Sequence, residues 1–505
     1  MDATDAVDFG RLPEPVLTEH PEWLDMWHLA WRLAARNIRL THGRRHMDNA
    51  WDPARNCQWV WDSCFVALFC RYGAAQFPGM ASLDNFYDLQ SDDGYISMTY
   101  DMTERRALWP DRINPPLFAW TEWEYLRTTG DASRLERVVP HIERFMDWID
   151  ANRRTRPHRR RNAPGHPWPG DPAITWPTAG TETMFQLYWF EDCGSSGMDD
   201  SPRAPRLAEA GPFYDWIDLS SQMALSFDML SRLRAAMGDM ERAAAWAQRH
   251  RELGALINEE LWCERTRFYH DRTLPLNFVA HKTVAGFWPM LAGICPPERT
   301  AALAAHLQNE KEFNRPVPVP SLSADDLNYC ARGTYWRGGV WASTNYMIAR
   351  GLDHCGRGDL AHDIARRYLD GLVRTCRDVE PHTLWEANSP EETKPALGPY
   401  IPRYVKPDFV GWSGIGPTAM LIENIIGIDL DAPACAAQWH IRLTEEHGVR
   451  RLGSADFLCR ARADANAPAE VEVRSDAALS VRVVCGDRTA EVCIPTGGGV
   501  KRITV

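Results

Sequence analysis

The stretch IDLSSQMALSFDMLSRLRAAMGDMERAAAWAQRHRELGALINEEL, residues 217–261, decides the fold of this chain. Apolar residues recur in it at spacings of three and four, which predicts one helix over Ile217–Met237 and another over Met240–Leu261. Gly238-Asp239 forms a tight break between them. The stretch therefore predicts a pair of helices joined by a short turn.

The same spacing predicts further helices on both sides of this pair, and Gly130-Asp131 separates two of them in the same way. About twelve helices result, joined by alternating short and long connections. A chain of this form closes as six inner and six outer helices, an (α/α)6 barrel with its long loops at one mouth. The other predicted helices are Glu22–Ile38, Val60–Arg71, Pro78–Gln90, Pro116–Thr129, Ala132–Asn152, Lys282–Ala292, Pro297–Asn309, Gly338–Arg350, Gly358–Arg374 and Trp412–Ile425.

Past Asp429 the pattern changes to short segments rich in β-branched residues, separated by Gly and Asp turns. These predict strands at Glu470–Val473, Leu479–Val484, Ala490–Ile494 and Val500–Val505. The fold class is thus mainly α, an (α/α)6 barrel with a small C-terminal all-β domain. We expect a catalytic domain over residues 1–428, with a loop-rich insertion at about 154–214, and a β-sandwich-like domain over 429–505.

Charge and hydropathy exclude two classes of partner. The formal net charge is −12, whereas binding to nucleic-acid phosphates needs a basic face. No apolar run approaches the ~18 residues of a membrane span. The acidic N-terminus lacks the pattern of a secretory signal, so we expect a cytoplasmic protein.

The thirteen cysteines are scattered and often lie inside apolar helical runs, which indicates reduced core residues. No Cys/His spacing resembles a zinc site, so neither a metal nor a cofactor is expected. The sequence is compatible with a homo-oligomer and does not decide the oligomeric state.

The loop Cys193-Gly-Ser-Ser-Gly-Met-Asp-Asp-Ser-Pro-Arg203 presents two adjacent carboxylates, Asp199 and Asp200. Its glycines and Pro202 favour a bent backbone that displays these side chains. The alternative is an ordinary helix start, with Asp200 or Ser201 as the N-cap and Pro202 at the first helical position.

Four other stretches carry polar residues beside aromatic ones at the ends of predicted helices. Each has an ordinary alternative as a helix cap, a Pro-initiated helix, a packed turn or a solvated helix end. Together they place polar side chains at loops that could all face one mouth. These stretches are Cys57–Phe65 with Asp62, Trp109–Pro116 with Arg112 and Asn114, Tyr335–Trp341 with Arg337, and His382–Pro390 with Glu386.

A pair of carboxylates among aromatic and amide groups suits cleavage of a glycosidic bond. One acid protonates the leaving oxygen, while the other activates water or attacks the anomeric carbon. Asp199 and Glu386 are the natural pair. The 22 tryptophans add to this interpretation, because indole faces stack on pyranose rings.

Five motifs, in order from Trp51 to Ile428, resemble glycoside hydrolase family 63, in particular its bacterial mannosylglycerate and glucosylglycerate hydrolase branch, and more distantly the family 37 trehalases. The chain departs from the family at Asn114, where a Gln is usual, and in the Ala387-Asn-Ser-Pro loop after Glu386. The motifs are Trp61-Asp62-Ser63, Arg112-Ile-Asn-Pro-Pro116, Ser196–Arg203, Tyr335-Trp-Arg-Gly-Gly-Val-Trp341 with Asn345, and Glu386.

The resemblance implies an inverting hydrolase of a small α-glucoside or α-mannoside, with Asp199 as general acid, Glu386 as general base and Asp200 in support. Asp62 would bind hydroxyls of the sugar in subsite −1. The expected substrate-binding residues are Trp59, Trp61, Asp62, Phe65, Arg112, Asn114, Asp200, Arg203, Trp336, Arg337, Trp341, Trp385 and Trp412.

The leaving group stays open between glycerate, a second sugar and another aglycone. A glycerate would need cationic or hydroxyl partners, for which Arg203, Arg337 and Lys394 are the candidates. The alternatives for the whole protein are a sugar epimerase or phosphorylase on the same barrel, and a sugar-binding protein without catalysis.

Overall fold

A computed structural model describes residues 7–49, 56–154, 187–204, 214–273, 277–399 and 403–505. The expected insertion at 154–214 lies largely outside these residues. The helices are α1 (Pro21–Arg36), α2 (Val60–Cys70), α3 (Gly79–Asp88), α4 (Phe118–Thr129), α5 (Leu135–Asn152), α6 (Ile217–Ala236), α7 (Met240–Glu260), α8 (Trp288–Leu291), α9 (Pro297–Gln308), α10 (Ala342–His354), α11 (Gly358–Asp378) and a π-helix, π1 (Gly416–Ile426).

Six of these helices pack in a ring, α2 on α4, α4 on α6, α6 on α8, α8 on α10, α10 on π1, and π1 back on α2. The others lie against them, with α3 on α2, α7 on α6 and α11 on α10 and π1. Burial follows the sequence pattern, since α1 turns the fully buried indoles of Trp23, Trp27 and Trp31 towards the core.

Three predicted helices differ from the structure. Within Lys282–Ala292 only a 3₁₀ turn and the four-residue α8 form, in a segment broken by Gly286 and Pro289. The helix predicted from Gly338 begins at Ala342, because Gly338 has a φ of 123° that lies outside the helical region. The helix predicted from Trp412 starts as a 3₁₀ turn and continues as π1.

Short strands accompany the helices. They include the hairpin β2–β3 and the three-stranded sheet β4–β5–β6, which leads directly into α2. The strands as far as α8 are β1 (Glu14–Leu17), β2 (Ile38–Thr41), β3 (Arg44–Met47), β4 (Cys57–Trp59), β5 (Thr99–Asp101), β6 (Arg106–Ala107), β7 (Tyr214–Asp215), β8 (Trp262–Cys263), β9 (Phe268–Tyr269), β10 (Arg272–Thr273) and β11 (Asn277–Phe278).

The C-terminal part forms two sheets. The strands are β12 (Ile428–Asp431), β13 (Ala436–His440), β14 (His447–Leu452), β15 (Ala455–Cys459), β16 (Glu470–Ser475), β17 (Leu479–Cys485), β18 (Arg488–Ile494) and β19 (Gly499–Thr504). One sheet has the order β12–β13–β17–β18 and the other β1–β14–β15–β16–β19. The four predicted strands correspond to β16–β19, and the sequence pattern missed β12–β15.

The second sheet takes its first strand from the other end of the chain. β1 pairs antiparallel with β14, so that Glu14 lies opposite Arg450 and Leu17 opposite His447. Trp439 of β13 is fully buried and donates its indole N–H to the carbonyl of Ile426 in π1. The strand domain is thus packed onto the helices. Among the helices formed by described residues, none combines the length and apolar character needed to cross a bilayer.

Candidate active site

A cavity of about 1030 Å³ opens where several helices of the ring begin. Asp62 lies in the first turn of α2, Asn114 lies shortly before α4, and Trp412 immediately precedes the 3₁₀ turn that leads to π1. The expected site residues that line this cavity are Trp59, Trp61, Asp62, Arg112, Asn114, Asp199, Asp200, Arg337 and Trp412.

The loop that carries Asp199 is built from its own backbone bonds. Met198 N–H donates to the carbonyl of Cys193 at 3.1 Å, and Gly197 has a φ of 79°, which a glycine adopts without strain. A side chain at Gly197 would meet the indole of Trp61 at 3.4 Å. Residues 201–204 form turns rather than a helix, so within the described chain Asp200 and Ser201 do not cap one.

Asp199 lines the cavity, where its side chain is accessible to solvent and yet has many protein atoms around it. This burial raises the pKa of Asp199 to about 7, and the negative charges of Asp200, Glu386 and Asp192 act in the same direction. The group is therefore an acid that still carries its proton close to neutral pH.

Glu386 is buried beside the cavity wall, only 4% exposed. Its Oε1 accepts from the hydroxyl of Tyr335 at 3.1 Å, and its Oε2 accepts from the backbone N–H of Lys406 at 3.2 Å. Burial raises the pKa of Glu386, whereas these two donors and the Lys406 charge oppose the rise. Both carboxylate oxygens are thus held in place by donors that favour the ionised form.

Asp62 completes a group of three carboxyls around the cavity. Burial raises its pKa well above the usual range, and the charges of Glu386 and Asp199 raise it further. These electrostatic effects require the three groups to lie near one another, although they are far apart in the chain.

Asn114 and Arg112 connect the loop of Asp199 to the start of α2. The amide of Asn114 accepts from Trp61 N–H at 3.1 Å and donates to the carbonyl of Ser195 at 2.9 Å. Arg112 forms an ion pair of 2.5 Å with the buried Asp192. Asn114 therefore reaches the cavity with its amide already engaged by the backbone.

Asp200 bonds to the stretch that follows Tyr335. Its Oδ1 accepts from Trp336 N–H at 2.8 Å, and its carbonyl accepts from Arg337 Nε at 3.1 Å. Burial raises the pKa of Asp200, while the Trp336 N–H and the Arg337 charge lower it. Asp200 therefore ties two loops together, beyond its charge effect on Asp199.

Four aromatic residues expected to bind substrate pack behind the cavity instead of lining it. Trp336 stacks on Trp341 with ring centroids 4.1 Å apart, and both are fully buried, as is Phe65. Trp385 is also buried. The apolar faces of these rings pack against other core residues. Motif spacing does not predict this, because it does not say which side chains pack inward.

Arg203 also differs from the expectation. Its buried guanidinium pairs with Asp218 and, at 3.4 Å, with Asp271, and it lies 4.4 Å from the ring of Trp216. Its charge is thus used in buried ion pairs, and Arg203 is not among the residues that line the cavity. Lys394, another candidate for a glycerate, pairs with Glu392 at 2.8 Å and is not part of the lining.

The structure adds residues that sequence reasoning did not select. Trp109 is 46% exposed at the cavity and lies 5.1 Å from the guanidinium of Arg112. Tyr335 belongs to the Tyr335–Trp341 motif, and its hydroxyl donates to Glu386 beside the cavity that the residue lines. The signal for both was their place inside motifs that already held candidate residues. Other lining residues that were missed are Met98, Asp192, Cys193, His281, Asn328 and Pro399.

Comparison with known proteins identifies the family. The profile described as "Mannosylglycerate hydrolase MGH1-like glycoside hydrolase domain" matches residues 55–400, more than half of the chain. The chain belongs to this family. As a member of glycoside hydrolase family 63, it is a glycosidase.

Relatives of this glycosidase agree with the assignment. A mannosylglycerate hydrolase from Rubrobacter radiotolerans is 24% identical over 64% of this chain and 83% of that protein. The crystal structure of a family 63 mannosylglycerate hydrolase from Thermus thermophilus with glucose matches with a TM-score of 0.59 at 20% identity, over 78% of this chain and 99% of that one. Neutral trehalase Nth1 from Saccharomyces cerevisiae matches with a TM-score of 0.51 at 15% identity, over 72% of this chain and 70% of that one.

Proposed function

We propose that this glycosidase hydrolyses a small α-glycoside with inversion, with Asp199 as the general acid and Glu386 as the general base. Asp199 protonates the leaving oxygen, and Glu386 takes a proton from the water that attacks the anomeric carbon. In this mechanism the two carboxyls stand roughly 6.5–9.5 Å apart, which leaves space for the water.

One observation carries the proposal. Two carboxyls of this site, Asp199 lining the cavity and Glu386 buried beside it, have environments that suit opposite roles. Asp199 has a pKa of about 7 and an accessible side chain, which suits proton donation. Glu386 receives two hydrogen bonds that favour its ionised form, which suits a base.

The sugar in subsite −1 would be held by Asp62 and by the tryptophans that line the cavity. Asp62 offers acceptor oxygens to hydroxyl groups, and Trp59, Trp61 and Trp412 offer apolar ring faces. Arg337 and Arg112 are the arginines of the described lining, so they are the candidates for contact with the leaving group.

The names of two relatives support a choice of substrate class. Both are named mannosylglycerate hydrolases, from Rubrobacter radiotolerans and Thermus thermophilus. We therefore propose an α-mannoside or α-glucoside of glycerate, or a disaccharide, as the substrate. A cytoplasmic location stays a prediction.

The ring of six helices supports an (α/α)6 barrel as the catalytic domain. Its order, α2–α4–α6–α8–α10–π1, closes on itself, and each inner helix follows an outer one in the chain. We propose residues 1–428 as the barrel domain and 429–505 as the β domain, with β1 contributed to the latter by the N-terminal end.

The test is a hydrolysis screen that pairs α-glucosides and α-mannosides with glycerate, glucose and aryl leaving groups, in phosphate-free buffer. Proton NMR of the first product should show the β-anomer. With the best substrate, Asp199→Asn and Glu386→Gln should each lower kcat by about 10²–10⁴-fold, the usual contribution of an acid or base.

Matched controls are Asp363→Asn and Glu380→Gln, which make the same chemical change at exposed carboxylates. These two variants should keep full activity. An α-anomeric first product would overturn inversion, and full activity in Asp199→Asn or Glu386→Gln would remove that residue from the mechanism.

A further inference from the structure

The segment Tyr335–Arg337 touches both halves of the site. The Tyr335 hydroxyl donates to Glu386 Oε1 at 3.1 Å. The next two residues hold the loop of Asp199, because Trp336 N–H donates to Asp200 Oδ1 at 2.8 Å and Arg337 Nε donates to the Asp200 carbonyl. Three consecutive residues thus bridge the expected base and the neighbour of the expected acid.

The backbone of this segment is strained and firmly held. Tyr335 has a φ of 44°, a left-handed conformation that costs a non-glycine residue about 1–2 kcal/mol. Its N–H donates to Leu397 O at 2.8 Å, and its carbonyl accepts from Gly339 N–H at 2.9 Å. Such strain persists where the surroundings determine the conformation, and it is typical of functional sites.

Close packing leaves the segment little freedom to move. A side chain at Gly339 would clash with the carbonyl oxygen of Tyr335, so only glycine fits beside it. The stacked indoles of Trp336 and Trp341 anchor the next residue in the core. The Tyr335 hydroxyl therefore has a defined position relative to the loop of Asp199.

The phenol is suited to donate to a carboxylate. Burial, followed by the charges of Glu386 and Asp199, raises the pKa of Tyr335 well above its usual value, so the hydroxyl keeps its proton. A donor to the charged form of a carboxyl stabilises that form and fixes its orientation. Removing the hydroxyl would leave the Oε1 of a buried Glu386 without this donor.

We propose that Tyr335 is a positioning residue for Glu386, and that the segment Tyr335–Arg337 sets the spacing between the base and the loop of Asp199. This inference rests on the proposed function, since it assigns Glu386 the role of base. It goes further by naming the group that keeps the base ionised and oriented.

The test is Tyr335→Phe, measured as kcat, KM and the pH profile of kcat/KM. Loss of the donor raises the pKa of Glu386, and the base works only when ionised. The acidic limb of the profile should therefore move to higher pH, and kcat should fall about tenfold, less than the ~10²–10⁴-fold lost when the base itself is removed. KM should change little.

The matched control is Tyr125→Phe, which removes a phenol that donates to Asp131 at 3.0 Å, and neither residue lines the cavity. This variant should keep both the wild-type kcat and the pH profile. A Tyr335→Phe enzyme that keeps the wild-type acidic limb, or that changes only KM, would overturn the inference and leave Tyr335 as a sugar contact.

A second variant guards against a fold defect in Tyr335→Phe. Incorporation of 3-fluorotyrosine at position 335 keeps the ring and makes the phenol a stronger donor, so the acidic limb should move to lower pH. An unmoved limb would contradict the inference. Failure of the proposed function looks different, because Asp199→Asn or Glu386→Gln would then stay active.

Discussion

At the scale of single residues, Asp199 and Asp200 are adjacent in the chain and differ in what their carboxyls contact. Asp200 accepts from Trp336 N–H and lies near Arg337, whereas Asp199 faces the cavity. Adjacent side chains on a turn point in different directions, so one can anchor the loop while the other meets the substrate. The anchor also acts on the acid, because the charge of Asp200 raises the pKa of Asp199.

This coupling gives a pH prediction. Asp199 must be protonated to act as an acid, so kcat/KM of the wild-type enzyme should fall as pH rises through about 7. Asp200→Asn keeps an acceptor for Trp336 and removes the charge, which lowers the pKa of Asp199. The alkaline limb should therefore move to lower pH. A pH profile with an unmoved limb would contradict the electrostatic role of Asp200.

Gly197 gives a prediction with an internal control. Gly197→Ala and Gly238→Ala both place a side chain at positive φ, 79° and 81°, which should cost each about 1–2 kcal/mol of unfolding free energy. Only at Gly197 does the new methyl meet a neighbour, the indole of Trp61. Urea unfolding should show similar losses, whereas kcat should fall in Gly197→Ala alone. Equal activities would show that this contact does not position the site.

At the scale of elements, three helices of the ring, α2, α10 and π1, share one direction. α2, α10 and π1 begin near the cavity, and their last turns meet at a cluster of buried ion pairs on the far side. Arg350 there lies 3.1 Å from Glu423 and 3.5 Å from Glu124. The C-terminal ends of parallel helices carry partial negative charge, which cations such as Arg350 stabilise. The same direction places helix N-termini, which favour carboxylates, at the catalytic end.

Substitution of Arg350 tests whether this cluster stabilises the fold. Arg350→Met removes one of the arginines that pair with the buried Glu423 and Glu124, while Arg71 stays beside both. It should therefore cost about 3 kcal/mol of unfolding free energy, the lower end of the range for breaking a buried pair. The folded enzyme should keep its kcat, because Arg350 lies roughly 12 Å along α10 from the helix start near the cavity. The control Arg366→Ala removes a surface pair with Asp370 and should cost below about 0.5 kcal/mol. Similar costs in urea unfolding would argue against a stabilising cluster.

At the scale of the whole molecule, the two ends of the chain are joined in one sheet. β1 supplies an outer strand to β14 and buries Leu17, while Trp439 of β13 packs against the helices. Arg127 of α4 also pairs with Asp429 of β12 at 3.0 Å. Contacts with the helices thus contribute to the stability of the C-terminal sheets.

Deletion of residues 1–18 tests this connection. It removes β1 and exposes the edge of β14, so the midpoint of thermal unfolding should fall and the fraction of aggregate should rise. The kcat of the remaining folded protein should be unchanged. Glu14→Ala, which removes only the exposed ion pair with Arg451, should have almost no effect. An unchanged unfolding midpoint after the deletion would show that β1 is dispensable.

Much of this protein follows from its sequence, because the signals are local. The three-and-four spacing located α2, α4 and α6 of the ring, and alternating β-branched residues located β16–β19. The spacing did not predict the short α8, the later start of α10 or the π geometry of π1. The motif residues Asp62, Asp199 and Glu386 were identified by residue type and by neighbours within a few positions. Family membership rests on the same short-range information.

Only the tertiary structure decided which of these residues meet. The bond from Tyr335 to Glu386 spans 51 positions, and that from Trp336 to Asp200 spans 136. Arg203 lies in a motif of the family, but its guanidinium is used in ion pairs with Asp218 and Asp271 and does not line the cavity. Periodicity reports which face of an element is buried, whereas the partner across the core depends on how distant elements pack. The sequence alone therefore determined most of the helices, the last four strands and the chemical groups, and packing determined the geometry of the site.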